Sequence, residues 1–222
     1  MTDRLLELFP ELYIAFGQTF LMLGISLSMA LLFGIPLGFL IFLFDKKVFI
    51  RNRWMYAILG TLANLIRSIP FVILLVSLLP FTMFLTGTTI GPLAASVSLS
   101  VAAIPFLARL VETSLREIPE GVLEASVSTG ASLWLIVRCV LIPEAMPGMI
   151  SGITLTGISL LSYSAMAGIV GGGGIGDLAI RFGYYRYEDD IMFITVILLI
   201  VLVQLMQLLG DFVRNKSDRK NG

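Results

Sequence analysis

The sequence predicts an all-α membrane protein with five transmembrane helices and one long loop made of two short helices. Three observations carry this. Of 222 residues, 57% are hydrophobic and 14% charged, where a soluble domain runs at about 25% charged. The apolar residues gather in five segments, each long enough to supply the roughly 20 helical residues that a bilayer core needs. One stretch between the third and fourth, VLEASVSTGASLWLIVRCVLIPEAMPG (Val122–Gly148), is too polar to span. Its Glu, Gly, Pro and small residues are too regularly placed for a slack connection.

Composition narrows the function classes. The length suits a single transmembrane domain over residues 1–222, with its core at about 14–210 and the loop at about 117–147. The formal net charge is +0, so no basic field attracts nucleic acid. Cys139 is the one cysteine and histidine is absent. That excludes intrachain disulfides, thiolate clusters, His-ligated metals and Ser-His or Cys-His dyads. No catalytic, cofactor-binding or metal-binding residue is expected. The N-terminal MTDRLLELFPELYIAFGQTF has acids among its apolar residues and no basic start or small-residue cleavage site, so it does not read as a cleaved signal peptide.

Segment one, about Ile14–Phe44, is long enough to tilt or to begin in the interface. Segment two covers about Tyr56–Pro80, segment three Ile90–Leu110, segment four Met149–Val170 and segment five Ile191–Leu209. Basic residues orient them. Lys46, Lys47, Arg51 and Arg53 follow segment one, Arg109, Arg116 and Arg138 fall in the region of segments three to four, and Arg214, Lys216, Arg219 and Lys220 lie in the C-terminal tail. Arg4, Arg181 and Arg186 fall on the other side. The N-terminus is therefore expected outside, and the long loop and C-terminus in the cytoplasm.

Pro36, Pro70 and Pro105 each remove a helical hydrogen bond and favour a kink. Two recur in matching settings, RSIPFVILL and AAIPFLARL. A hinge or path-lining kink and a kink fixed by packing fit the pattern equally. Asn64 and Arg67, about a turn apart in segment two, are expected to face protein or water, because a charge is unfavourable in lipid. Arg67 is expected to pair with carbonyls or Glu112, or to snorkel to the cytoplasmic surface, in a structural or gating role, with Pro70 and Pro105, rather than in contact with substrate.

Two motifs look catalytic. GGGGIGD (Gly171–Asp177) contains G-x-G-x-x-G, but the dinucleotide fingerprint needs a preceding strand, and here a membrane segment precedes. It also contains G-x-G-D, a motif of intramembrane aspartyl proteases, whose chemistry needs a second membrane-embedded Asp. No other Asp lies in mid-segment. The glycines are expected to let the chain turn with φ > 0. No G-x-x-x-x-G-K-[ST] is present, so ATP is not bound through a P-loop of this chain.

Ahead of the long loop, Arg109, Glu112 and Arg116 share a helical face, with Glu112 four residues before Arg116; a solvated interfacial face of modest energy is expected. Pro119 suits a first helical position, with Glu117 and Glu120 near the positive end of the dipole. The helix is expected to run to about Thr129, where Gly130 stops it in the αL conformation. Ser132 caps a second helix, LWLIVRCVL, which ends before Pro143. The first helix is too short to span and presents Ala125, Ser126, Ser128, Thr129, Gly130 and Ala131, all small. The second, apolar with Trp134 and Arg138, is expected to lie on the membrane side. A docking element and an amphipathic loop resting on headgroups fit this pattern comparably.

Glu124-Ala125-Ser126, three residues, Gly130, nine residues, then Val140-Leu141-Ile142-Pro143 resembles the EAA signature of ABC-importer permeases, E-A-A, Gly and I-x-L-P at the same spacing. Ser126 stands for the second Ala, Val140 for Ile and Ile142 for Leu. NLIRSIPFVILLVSLLPFT, AAIPFLARLVETSLREIPEG and LSYSAMAGIVGGGGIGDLAIRFGYYRY are similar to methionine-importer permeases. The similarity covers essentially the whole chain from segment one onward, with five spans where many relatives have six.

The resemblance implies a type I ABC-importer permease fold in a bacterial inner membrane, with Glu124, Ala125, Ser126, Gly130 and Pro143 coupling to an ATPase. It implies a homodimer of this chain, two cytoplasmic ABC ATPases that bind the ATP and Mg, and a periplasmic or lipid-anchored methionine-binding protein. The implied activity is import of methionine, L- or D-, by alternating access. Segment four, SGITLTGISLLSYSAM, is expected to line the path with Ser159, Ser162, Tyr163 and Met166, Met166 acting as a gate. Close packing through small residues, with Gly148 and Gly152 four apart, and Met as a gap-filler account for the same residues. Glu188, Asp189 and Asp190 with Arg181 and Arg186 form a solvated loop or meet the binding protein. Rivals are a permease for another small amino acid or methionine analogue, and a stand-alone secondary transporter, which would show internal repeats and intramembrane acids.

Overall fold

The computed structural model describes residues 2–45, 49, 50 and 52–217, and every regular element among them is helical. Lys46, Lys47, Arg51, Arg219 and Lys220, used above to orient the chain, lie outside the described residues. Four helical stretches are long and apolar enough to cross a membrane: Pro10–Asp45, Pro92–Arg116, Leu133–Val170 and Asp189–Ser217. The bent pair Arg53–Ser68 and Phe71–Ser77 makes a fifth when counted as one span, which agrees with the five expected.

Helix α1 (Thr2–Met29) continues through a π turn at Ala30–Gly34 into α2 (Ile35–Asp45). The wider i→i−5 turn carries the backbone past Pro36 without a break. Helix α3 (Arg53–Ser68) stops, and Pro70 adopts an extended conformation, φ −55° and ψ 134°, ahead of α4 (Phe71–Ser77). The kink expected at Pro70 is thus a complete interruption. After α5 (Leu79–Thr86), α6 (Pro92–Arg116) runs through Pro105 unbroken. This helix is the most enclosed of the spans, 61% of its apolar window being buried against 17% for the last helix. Pro105 is itself buried. Of the three expected kinks, only the one at Pro70 interrupts a helix.

The loop contains α7 (Glu120–Ser128), and the next helix departs from expectation. Helix α8 (Leu133–Ile136) does not end before Pro143. It passes through a π turn at Val137–Leu141 into α9 (Ile142–Ala167), so LWLIVRCVL forms the first turns of span four rather than a separate foot. The Ile142 N–H reaches back five residues to the Val137 carbonyl. This shifted register takes the chain past Pro143, which has no N–H to donate. Pro119 sits one position earlier than expected, as the N-cap of α7.

A 3-10 turn (Gly168–Val170) leads to the glycine run, where Gly171, Gly173 and Gly174 have φ of 81°, 77° and 87°. The expected turn is present, followed by a short helix that the sequence did not suggest, α10 (Gly174–Leu178), and a π turn at Ala179–Tyr184. The last helix is α11 (Asp189–Ser217).

The chain forms two compact units. The first contains Met1–Ser28, Ile69–Ala102 and Gly157–Gln207. In it, α10 takes its leading hydrogen-bond acceptors from α1: the Gly174 N–H donates to Gln18 Oε1 at 2.8 Å and the Ile175 N–H to Thr19 Oγ1 at 2.9 Å. Helix N-termini leave such donors without intrahelical partners. The Ser26 hydroxyl donates to the Ser96 carbonyl, tying α1 to α6.

The second unit contains Met29–Ser68, Ala103–Thr156 and Leu208–Gly222. Lipid supplies no hydrophobic drive for helix association, so close packing through small residues takes its place. A Cβ on Gly38 would stand 2.5 Å from the Ala108 carbonyl oxygen and 2.7 Å from Val111 Cβ. Backbone of α2 therefore lies directly on α6. Gly38→Val is expected to lower the thermal midpoint in detergent, with an overpacking penalty of about 1–3 kcal/mol or more. Gly17→Ala, where a Cβ meets nothing within 4 Å, is the control that leaves the midpoint unchanged.

Candidate functional site

Helix α7 is built to present a small, self-contained surface. Leu123, 1% exposed, roots it, while Glu124 and Ala125 are exposed and Ser126 is half-buried. Each hydroxyl on the helix is turned back on its own backbone. Ser126 Oγ donates to the Val122 and Leu123 carbonyls at 2.8 and 2.9 Å, Ser128 Oγ to Glu124 at 2.8 Å, and Thr129 Oγ1 to Ser126 at 2.8 Å. These groups are satisfied without water. Ser126 thus offers a partner little more than the bulk of alanine.

The end of α7 is fixed locally. The Thr129 N–H donates to Ala125, and the Gly130 N–H to Val127 at 2.9 Å. Gly130 then turns into the left-handed region at φ 72°. Ser132 accepts from the Leu135 N–H at 3.4 Å and starts α8, as expected. Pro143 is half-buried in the first turn of α9. With Pro119, Val122, Cys139 and Glu144 it lines a cleft of about 500 Å³ beside α7. The structure therefore places Pro143 next to the root of α7, while Glu124, Ala125 and Gly130 face outward.

The helix leading into α7 carries a charge network that sequence reasoning undervalued. Glu112 is 3% exposed, not solvated. One of its oxygens accepts from Arg109, the other from Arg116 at 2.8–3.0 Å. Arg116 also pairs with Asp45 at the end of α2, at 2.8 Å, and reaches the Tyr56 hydroxyl. Arg109 donates to the Gly60 carbonyl of α3 at 2.8 Å. Three helices thus share one buried carboxylate. Because Glu112 is occupied, it does not pair with Arg67, which instead lies over the Phe106 ring at 5.9 Å.

In the first unit, Ser159, Ser162, Met166 and Ile169 follow one another at spacings of three and four along the helical stretch from α9 into the 3-10 turn, which puts them on one face. Ser159 is half-buried; Ser162 and Met166 are exposed, Met166 at 42%. Tyr163 is turned aside and stacks on Phe71, ring centroids 4.6 Å apart and planes 10° from parallel. Phe71 is the first helical residue after Pro70, so the break at Pro70 places the platform on which Tyr163 rests. No sequence signal announced that pairing. Asp177 gives its carboxylate to Arg181 at 2.7 Å, an ion pair rather than half of a carboxylate dyad.

The chain is long-helical, with a broken second span and a short, exposed, glycine-terminated helix between spans, an arrangement that a transport permease can use. Residues 30–221 match the family described as binding-protein-dependent transport system inner membrane component, and this chain belongs to that family. It is a non-catalytic membrane subunit of a transport system. The chain is 45% identical over 203 residues to a Vibrio cholerae protein named probable D-methionine transport system permease protein MetI, covering 91% of this chain and 90% of that one. It is 43% identical over 181 residues to the methionine import system permease protein MetP of Bacillus subtilis, 82% of each chain. Among solved structures, an inward-facing form of the MetNI methionine ABC transporter superposes with a TM-score of 0.93 at 41% identity, covering 96% of this chain and 99% of that chain.

Proposed function

We propose that this chain is the permease subunit of an ATP-driven importer of methionine, acting as a homodimer with two ATPase subunits and an external methionine-binding protein. Its 222 residues form one transmembrane domain, with the N-terminus outside and the C-terminus in the cytoplasm of a bacterial inner membrane. ATP and Mg are bound by the ATPase. The observation that carries the reading is α7: an exposed helix with a satisfied, alanine-like surface, rooted at Leu123 and closed by the αL residue Gly130. A symmetric ATPase pair needs two such helices, and a C2 dimer supplies them.

In this reading, closure of the ATPases carries α7, through Glu124, Ala125, Ser126 and Gly130, and the π turn ahead of Pro143 transmits the movement into span four. Ser159, Ser162 and Met166 face the path, with Met166 as its narrowest side chain and Tyr163 braced on Phe71. Pro70 provides the break in span two, and Pro105 a packed, fixed point in α6.

Co-expression with the ATPase and binding protein, followed by reconstitution, tests this. ATP-dependent methionine uptake is expected from the complete complex; a complex that assembles but takes up no methionine removes the substrate assignment. The gate has its own test. Met166→Ala is expected to raise ATP hydrolysis in the absence of substrate and to lower uptake per ATP. A variant unchanged in both counts against a gate at Met166.

A further inference from the structure

Among the described residues, Arg67 is a cation that pairs with no carboxylate. It lies in α3, a helix of 16 residues that starts at Arg53, which puts it roughly 20 Å along the axis at 1.5 Å per residue. When α3 and α4 are counted as one span, Arg67 lies within that span, one residue before α3 ends. A guanidinium at that depth faces protein or water, not lipid, and marks a functional site with a definable partner. Its contact among the described residues is the Phe106 ring, and Arg67 itself is exposed. Thr61, Asn64 and Ser68 are exposed as well, while Gly60 and Ala63 are buried. Thr61, Asn64 and Ser68 recur at spacings of three and four, so with Arg67 they make a polar face along α3. Such a face is unfavourable against acyl chains and suited to an aqueous path.

The missing anion does not come from this chain at that depth. No Asp or Glu occurs between Glu11 and Asp45, between Asp45 and Glu112, between Glu144 and Asp177, or between Asp190 and Asp211. Glu112, Asp45 and Asp177 are already paired with Arg109, Arg116 and Arg181. A second copy of the chain repeats the same distribution and brings a second Arg67 but no mid-depth carboxylate. The remaining source is the cargo. An amino acid carries a carboxylate that a planar, five-donor guanidinium matches in two-pronged geometry. We infer that Arg67, steadied over Phe106, receives the α-carboxylate of the amino acid as it crosses, and that Thr61, Asn64 and Ser68 line the same aqueous face. This rests on the importer reading above and adds to it a specificity-determining residue, in place of the structural or gating role that the sequence favoured over substrate contact.

The test uses the full complex of permease, ATPase and binding protein in proteoliposomes, in a Cys139→Ala background first shown to transport. Arg67→Gln is expected to assemble with the ATPase and to lose about tenfold or more in methionine uptake, the scale of one charge-assisted hydrogen bond. Arg67→Lys keeps most of the uptake. The Arg67→Cys thiol reacts with membrane-impermeant methanethiosulfonates. The aminoethyl reagent, which restores a cation, recovers transport, the sulfonatoethyl reagent does not, and methionine slows both reactions. A merely structural arginine gives neither charge-selective rescue nor protection by methionine. Arg67→Gln transporting at the parental rate, or an Arg67→Cys thiol that stays unreactive with and without ATP, overturns the inference. If the parental complex itself fails to take up methionine, the importer reading falls instead.

Discussion

Gly130→Pro is expected to abolish methionine uptake and the association of this chain with the proposed ATPase, while the chain still inserts and folds. Two features of the structure make the effect large. Gly130 holds φ at 72° and donates its N–H to the Val127 carbonyl at 2.9 Å. Proline fixes φ near about −65° and has no N–H, so the end of α7 cannot close and the helix is re-aimed. The cause is conformational and not steric, because a Cβ at Gly130 would meet nothing within 4 Å. A graded series follows. Gly130→Ala carries a local penalty of about 1–2 kcal/mol for the left-handed conformation and reduces association; Gly130→Asn, which tolerates that region, stays near the parental level. Co-purification of the ATPase on a tagged permease reads the series directly. A proline variant that still brings down the ATPase contradicts coupling through α7.

Glu112→Ala removes the shared acid of the α2, α3 and α6 network and is the most destabilising single substitution expected outside the packed core. Glu112 side-chain exposure is 5%, against 18% for Arg109 and 38% for Arg116. Deleting the acid leaves Arg109 facing the protein interior without a counter-charge, a loss of about 3–5 kcal/mol. Deleting Arg116, which water reaches, leaves Glu112 still paired with Arg109 and costs about 1 kcal/mol or less. The thermal midpoint in detergent should fall in the order Glu112→Ala, then Arg109→Ala, then Arg116→Ala. Equal shifts for the first and last would mean that Glu112 behaves as a solvated surface acid.

These two residues also mark what was legible in the sequence. Gly130 and Ser132 were readable because their conformations are set within a few residues: a left-handed stop after a helix, and an N-cap accepting from the third residue on. The burial of Glu112 was not, because the groups that enclose its arginine partners lie far away in the chain. Arg109 donates to a carbonyl 49 positions distant, and Arg116 reaches a hydroxyl 60 away. Helix α10 escaped for the same reason: it is five residues long and its leading donors are met 156 positions back, on α1.

The prolines separate the two kinds of information further. All three predict a lost hydrogen bond, but only Pro70 breaks its helix. Pro36 and Pro143 follow π turns, and Pro105 is held inside the most enclosed helix. Whether a π turn precedes a proline depends on packing that no local pattern encodes. Ser126 is the opposite case. The departure from the family's alanine matters little, because its hydroxyl bonds to Val122 and Leu123 in its own helix.

If coupling runs through α7, this chain moves methionine only when an ATPase drives it. Uptake of labelled methionine into proteoliposomes measures this, with the permease reconstituted alone, with its ATPase and binding protein, and with the Gly130→Pro permease in the same complex. ATP-dependent accumulation is expected in the complete parental complex and none in the other two. Accumulation by the permease alone, or undiminished accumulation with Gly130→Pro, would contradict it.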